Sequence, residues 1–259
     1  MKKYTLITGA SAGIGWELAR VAAAQGNHLV LVARRRERLQ QLAEELRSQY
    51  NVEVIVLASD LTDQNAATAI FDFCQREQLQ VQHLVNNAGL GDLGFFSEAE
   101  VGKQCEMIQV NITALTLLTR LFLPSMLAAG YGRILNIASV AAFQPGPLMA
   151  VYYATKSYVL HFSEAIANEL EKSGVTVTVA CPGPTESEFK FVAHMEESGL
   201  MKNRKNPSSR EVAAFSYAAM MKGKRVAIHG LQYQIMVFMA RFSPRSWTAR
   251  IARFMNAPR

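Results

Sequence analysis

Short runs of almost unbroken apolar residues recur along the chain, about every 25–30 positions for the first four and about every 40–50 after them, with stretches of helical periodicity between them. The runs lie at residues 4–8, 28–33, 52–57, 81–86, 133–138, 175–180 and 225–229. A strand that is apolar on both faces must be covered on both, and strands linked through helices run parallel. The pattern predicts an α/β fold: a single Rossmann-type doubly wound parallel sheet of about seven strands with helices on both faces. Hydrophobic residues fill 50% of the 259 positions, enough for a sizeable core, and only 19% are charged, which excludes a disordered chain. Helices are expected from the first glycine turn to about Gly26, over 36–49 with Leu39, Leu42 and Leu46 on one face, and from about Asp63. Two more are expected over 100–127, up to the region of Pro124, and over 151–172. The expected domain spans 1–230 with an irregular insertion at about 182–207, and a basic amphipathic extension follows over 231–259.

Cys74, Cys105 and Cys181 form no C-x-x-C pair, which argues against a disulfide scaffold or a metal site and suits a reducing, cytoplasmic setting. The net charge of +6 is uneven. Residues 1–200 carry 15 Lys and Arg against 20 acids, whereas residues 201–259 carry 12 against one acid, Glu211. No targeting or spanning segment stands out, and the apolar run 235–240 is far short of the ~20 residues that cross a bilayer.

The first strand opens into Thr8-Gly9-x-x-x-Gly13-x-Gly15 and then a helix. Such a turn lets the backbone approach a pyrophosphate, and the helix N-terminus offers free N–H groups and a positive dipole end. About 20 residues on, at the end of the second strand, an acid would bind the ribose 2′-hydroxyl of NAD, whereas Arg suits the 2′-phosphate of NADP. The sequence there is Ala33-Arg34-Arg35-Arg36, with no acid before Glu37. Arg34, with Arg35 beside it, is assigned to the phosphate, while Arg36 and Arg38 read as the solvated first turn of the next helix. NADP(H) is therefore preferred over NAD(H). Asp60, at the edge of the third strand, reads either as an acceptor for the adenine amino group or as a helix cap. Asn86-Asn87-Ala88-Gly89 closes the fourth strand with small and amide residues that admit a cofactor closely.

Tyr152 and Lys156 stand four apart on a predicted helix and share a face, a spacing that selects Tyr152 over Tyr153. A nearby ammonium is expected to lower the phenol pKa and let the pair trade a proton with an alcohol or carbonyl oxygen. Ser139 ends the fifth strand, where ligands of doubly wound sheets sit. Asn111 lies inside the apolar helix 107–123, where a buried amide must be paired; a structural amide at a local kink is the alternative.

Taken together, the glycine turn, Asp60, Asn86-Asn87-Ala88-Gly89, Asn111, Ser139, Tyr152-x-x-x-Lys156 and Pro182-Gly183 resemble the short-chain dehydrogenase/reductases, in that family's order and over roughly residues 4–230. The resemblance is to the NADP-preferring branch. It implies that Tyr152 is the general acid or base, that Lys156 tunes it and holds the nicotinamide ribose, and that Ser139 orients the substrate oxygen. Asn111 would hold a water in a proton relay. The implied cofactor contacts are Gly9, Ser11, Gly13, Ile14, Gly15, Arg34, Arg35, Asp60, Leu61, Asn87, Ala88, Gly89, Tyr152, Lys156, Pro182, Gly183, Thr185 and Ser187, the last standing where the family often has Thr. A homo-dimer or homo-tetramer is implied as well.

Substrate specificity in this family comes from the segments 140–149 and 189–201. Here they contribute Phe143, Leu148, Met149, Phe189, Phe191 and Met195, with Leu93 and Phe95 added from 91–96. These lean toward an apolar ketone or secondary alcohol, with a 3-oxoacyl or hydroxy-acid substrate as the alternative; the equal rival is that several of them are core or oligomer contacts. Lys190 and Lys202 are the nearby cations. In the tail, Trp247, Ile251, Phe254 and Met255 fall at helical spacing among Arg245, Arg250 and Arg253. Either the tail covers the active-site mouth or an oligomer contact, or it touches an anionic membrane. No nucleic-acid motif accompanies the charge. The expected function is an NADP(H)-dependent carbonyl reductase or secondary-alcohol dehydrogenase acting on a small molecule. A membrane-peripheral protein that senses NADP(H) is the rival reading.

Overall fold

Alternate residues of each apolar run turn to opposite faces of one sheet. Leu29 and Leu31 of the second strand enter one core cluster and Val30 and Val32 the other; Ile7 and Leu6 of the first strand divide in the same way. This period of two, with both faces covered, is why the strands look uniformly apolar in sequence.

The computed structural model describes residues 2–193, 198–199 and 206–257. Among them, seven strands form one sheet: β1 (Lys3–Thr8), β2 (His28–Ala33), β3 (Val54–Ala58), β4 (Gln80–Asn86), β5 (Gly132–Ile137), β6 (Val175–Cys181) and β7 (Val226–Ile228). The order is β3-β2-β1-β4-β5-β6-β7, and every pairing is parallel. Helices α1 (Gly13–Ala24), α2 (Arg36–Tyr50) and α3 (Ala66–Arg76) follow the first three strands. The next helical stretch comprises α4 (Val101–Ile108), a π-helical turn (Gln109–Ala114) and α5 (Leu115–Ala128). Then come α6 (Ala150–Glu169), the short α7 (Phe189–Val192), α8 (Ser209–Met221), α9 (Leu231–Ala240) and α10 (Arg245–Asn256).

One face of the sheet is covered by Leu18 of α1, Leu39, Leu42 and Leu46 of α2, and Tyr217 and Met220 of α8. The other receives Ile70 of α3, and Phe122 and Met126 of α5, against Leu84, Ile134 and Val177. Ser208 caps α8 with a reciprocal capping box to Glu211.

Three local expectations change. The third helix begins at Ala66, because Asp60 and Asp63 accept from the backbone N–H groups of Thr62 and Asn65 and hold a turn there. Pro124 lies inside α5, which runs on to Ala128. Proline strips a hydrogen bond from the carbonyl four residues earlier, and both Pro124 and Arg120 are exposed, so the break falls on the solvent side of the helix and not in the core. The helical stretch from Val101 to Ala128 is also long and apolar enough to cross a membrane by length and composition, yet Met107, Val110, Leu118 and Phe122 from it are buried in the fold.

Beneath the site, the buried His83 of β4 sits between the Thr5 hydroxyl (3.1 Å) and the Tyr131 hydroxyl (3.2 Å). Burial, with Arg133 and Lys3 adding to it, pushes its pKa down to about 4. The unfolded chain takes up a proton near pH 6.5 that the folded chain refuses until about pH 4, so stability falls as pH drops through that window. The loss from this group is about 3 kcal/mol. His83→Gln keeps a donor and an acceptor but does not titrate. Urea melts at neutral pH and at about pH 4 are expected to show an acid loss smaller by about that amount in the variant.

Candidate active site

The chain leaves β1 toward β2 and β3 on one side and returns on the other at β4. The β1/β4 boundary is therefore a topological switch point, where the loops beyond the strand ends diverge and leave a crevice. A side-chain clamp closes its floor. The Thr8 hydroxyl accepts from the backbone N–H groups of Asn87 (3.0 Å) and Ala88 (3.1 Å), and the Asn87 amide donates to the carbonyls of Thr8 (2.9 Å) and Gly9 (3.3 Å). Gly9 has φ +67°, and a Cβ there would stand 2.8 Å from the Asn87 amide nitrogen, so no other residue fits both demands. Ala12, at the N-cap of α1, supplies no side-chain cap, so the first N–H groups of the helix open toward the crevice.

A cavity of about 440 Å³ fills the crevice. Of the residues singled out from sequence, Gly9, Ser11, Gly13, Ile14, Arg34, Arg35, Asp60, Leu61, Asn87, Ala88, Gly89, Ser139, Tyr152, Lys156, Pro182, Gly183, Thr185 and Ser187 all line it. Two do not. Gly15 is buried beneath, and its lack of a side chain lets α1 pack on Asn87 and the Gly9 carbonyl. Asn111 is buried in the π-helical turn.

At the outer end, the Arg34 guanidinium is exposed and 3.9 Å from Asp60. Arg35 is held: it donates to the Ser11 hydroxyl (3.2 Å) and pairs with Glu188 (2.8 Å). Arg38, read from sequence as a solvated helix residue, also pairs with Glu188 (3.3 Å). Glu188 was not legible in advance, since its partners are 150 or more residues distant.

At the inner end, Ser139 caps a 3₁₀ turn by accepting from the Ala141 N–H (3.1 Å) and donates to the Pro182 carbonyl (3.4 Å). Lys156 donates to the Ile137 carbonyl (2.8 Å) and stands 5.8 Å from the Tyr152 ring centre. The expected lowering of the Tyr152 pKa is not what the structure gives. Burial pushes it up to about 12, against an opposing hydrogen bond from Ser139, and the same burial pushes Lys156 down to about 8. In a dry site the cost of ionising each group outweighs what a partner at this distance returns. Asn111 spends its amide on Leu90, accepting from the N–H (2.8 Å) and donating to the carbonyl (2.9 Å), and donates to Thr155 (3.0 Å). The alternative of a structural amide at a kink is thus present in the geometry. A Cβ on Gly89 would touch both the Asn111 amide oxygen and the Lys156 ammonium, each at 3.4 Å, so the two groups face the same small space.

The remaining wall holds Gln144, Met149, Tyr153 and Phe189, together with Tyr233 and Met236 of α9 and Met255 of α10. Sequence reading missed Gln144, Tyr153, Tyr233 and Met236. Of the other apolar residues expected here, Phe143, Leu148, Leu93, Phe95 and Phe191 do not line the cavity; Phe95 and Phe191 are exposed instead. Met195 and Lys202 lie outside the described residues, as does the Lys190 side chain. Asn256 of α10 is fully buried. It accepts from the Tyr153 hydroxyl (3.1 Å) and donates to the Pro147 carbonyl (2.9 Å), fastening the last helix to the wall. Tyr233 packs on Gly183.

The family model for short chain dehydrogenase matches residues 3–197. A sulfoacetaldehyde reductase 2 from Chromohalobacter salexigens is 38% identical over 74% of this chain and 76% of its own. An NADP-dependent 3-hydroxy acid dehydrogenase from Schizosaccharomyces pombe is 30% identical over 87% and 90%. Among solved structures, a short-chain dehydrogenase from Sphingobium yanoikuyae in complex with NADPH superposes with a TM-score of 0.83 at 33% identity, covering 93% of this chain and 94% of that one.

Since Gly15 is closed in by the Asn87 amide and the Gly9 carbonyl, Gly15→Ala must push α1 off the floor. The variant is expected to lose about 1–3 kcal/mol in thermal or urea melts and to bind NADPH at least about ten-fold more weakly by fluorescence titration. Unchanged stability together with unchanged binding would refute the packing argument.

Proposed function

The chain belongs to the short-chain dehydrogenase family, whose relatives act as dehydrogenases and reductases on CH–OH and carbonyl groups, and from that premise we propose that it is an NADP(H)-dependent reductase of an apolar ketone. One observation carries the reading: a single cavity joins the glycine turn and Arg34–Arg35 at one end to Ser139, Tyr152 and Lys156 at the other. The residues fit a nicotinamide dinucleotide. An uncapped helix N-terminus and a turn with no room for a Cβ suit the pyrophosphate, and two guanidiniums suit a 2′-phosphate. The cofactor, when bound, supplies a hydride to the substrate carbon.

The protein's part is the proton and the positioning. Ser139 donates to the substrate oxygen and fixes it beside Tyr152. A phenol with its pKa near 12 stays protonated at neutral pH, so Tyr152 is poised as an acid, and reduction is the direction it serves. It gives its proton to the oxygen as negative charge develops there. Lys156, mostly an ammonium at neutral pH with its pKa near 8, stabilises the phenolate left behind and lies next in line to reprotonate it. The Asn111 amide oxygen faces the same space at Gly89, which supports a positioning role for Asn111 in that relay.

Met149, Phe189, Tyr233, Met236 and Met255 give the substrate end an apolar lining, relieved by Gln144 and Tyr153. Among the described lining residues there, Lys156 is the only cation, and it is committed to the reaction. A substrate carrying a carboxylate or phosphate would meet no further cation among the described lining residues, which supports a neutral ketone over a hydroxy acid.

Tyr152→Phe removes the transferable proton and no cavity wall. It is expected to cut kcat for ketone reduction by about 10²–10⁴ while leaving the Kd for NADPH within about two-fold. A rate close to that of the wild type would overturn the assignment. Arg34→Ala is expected to weaken NADPH about ten-fold and NADH hardly at all, as read by titration of each reduced cofactor. Equal losses would remove the phosphate role.

A further inference from the structure

The C-terminal helices α9 and α10 are turned inside out. Against the protein, α10 buries Thr248, Ala252 and Asn256, which are small or polar; away from it project Trp247, Ile251 and Phe254, in i, i+4, i+7 order. Helix α9 repeats the pattern. Tyr233 and Val237 face inward, while Leu231, Ile235, Phe238 and Met239, with Phe242 just beyond, are exposed. Exposure reaches 61% for Trp247, 68% for Phe254 and 73% for Phe242. A helix of a water-surrounded protein normally turns its apolar stripe to the core, and a large exposed stripe marks a surface that meets another phase or partner. The charges point the same way. Residues 231–259 carry Arg241, Arg245, Arg250, Arg253 and Arg259 and no acid. Arg250 and Arg253 flank the outward stripe of α10, and Arg253 also lies over the Phe95 ring, at 5.8 Å.

We propose that the outer face of α9 and α10 docks on an anionic lipid bilayer, with Leu231, Ile235, Phe238, Phe242, Trp247, Ile251 and Phe254 entering the headgroup–acyl boundary and the arginines meeting lipid phosphates. Apolar residues flanked by arginine, with no acid between, are the composition of interfacial helices. A second copy is the weaker occupant. A two-fold contact lays a patch on itself and would bring these arginines together with no carboxylate in the segment to pair them. The inner faces of the same helices supply Tyr233, Met236 and Met255 to the cavity, so docking would set the substrate end against the membrane.

The full chain is sedimented with phosphatidylcholine vesicles, with and without about one third phosphatidylglycerol. Binding does not require turnover, so this test stands apart from the catalytic reading. Partition is expected to be at least about ten-fold higher on the anionic vesicles and to weaken as salt rises. The double variant Phe238→Ser with Trp247→Ser and the charge variant Arg245→Glu with Arg250→Glu are each expected to lose at least about ten-fold in partition while keeping NADPH affinity. Three results would overturn the proposal: no partition at low salt, equal partition on neutral vesicles, or undiminished partition of both variants. So would sedimentation equilibrium showing that the wild type is an oligomer which Phe238→Ser with Trp247→Ser converts to a monomer, since the face would then belong to a second copy.

Discussion

The site depends on the exchange of hydrogen bonds between Thr8 and Asn87 across the β1/β4 boundary. One hydroxyl serves two backbone N–H groups of the loop after β4, and one amide serves two carbonyls of the turn after β1. These strands are neighbours in the sheet, but their connections run to opposite sides, so nothing in the backbone ladder joins the two loops. Without the clamp, several polar groups at the floor of an apolar-walled cavity would lack partners, at a cost well above the modest gain each bond brings. With it, the glycine turn is fixed against β4, α1 can approach as closely as Gly15 allows, and its open N-terminus has a definite aim.

Dryness at the reaction centre moves Tyr152 in the opposite sense to the nearby lysine charge expected to govern it. Lys156 is buried and Tyr152 partly so, and loss of water drives both toward their neutral forms. Cys181 is buried alongside, its thiol pushed up to about 12 and inert as a nucleophile under neutral conditions. Below them a chain of buried amides and hydroxyls is almost fully paired. Asn86 donates to Thr119 and Asn136, and Asn136 donates to Ser163. Such a network fixes donor directions before a substrate arrives, and preorganised dipoles of that kind stabilise developing charge without moving.

What could be read in advance was whatever repeats locally. The strands declared themselves because both faces are covered, and the glycine turn, Ser139, and Tyr152 with Lys156 because their spacing is short. Pro124 misled because its effect depends on where a carbonyl four residues away points, not on the sequence around it. The π-helical turn at Asn111 is fixed by the Leu90 backbone, which no helical periodicity reports. Glu188 was hidden for a related reason: its meaning comes from Arg35 and Arg38, which meet it only in the folded chain. Tyr233 and Met236 looked like part of an apolar tail; that one side of this tail forms cavity wall is a fact of packing. The direction of the Tyr152 shift was misjudged because spacing reveals a neighbour but not the loss of water.

The contact between Tyr153 and Asn256 joins residues 103 positions apart. A ribosome building this chain from its N-terminus releases the glycine turn, the amides after β4, and the Tyr152–Lys156 pair long before it releases Met255 and Asn256. For that interval the nascent chain has the turn and the strand-end loops around the cavity, with Met149 and Tyr153 lacking their cover. The order of synthesis thus sets an order of assembly: the glycine turn and its partners are laid down first, and the cavity wall is completed only when α10 packs against Tyr153.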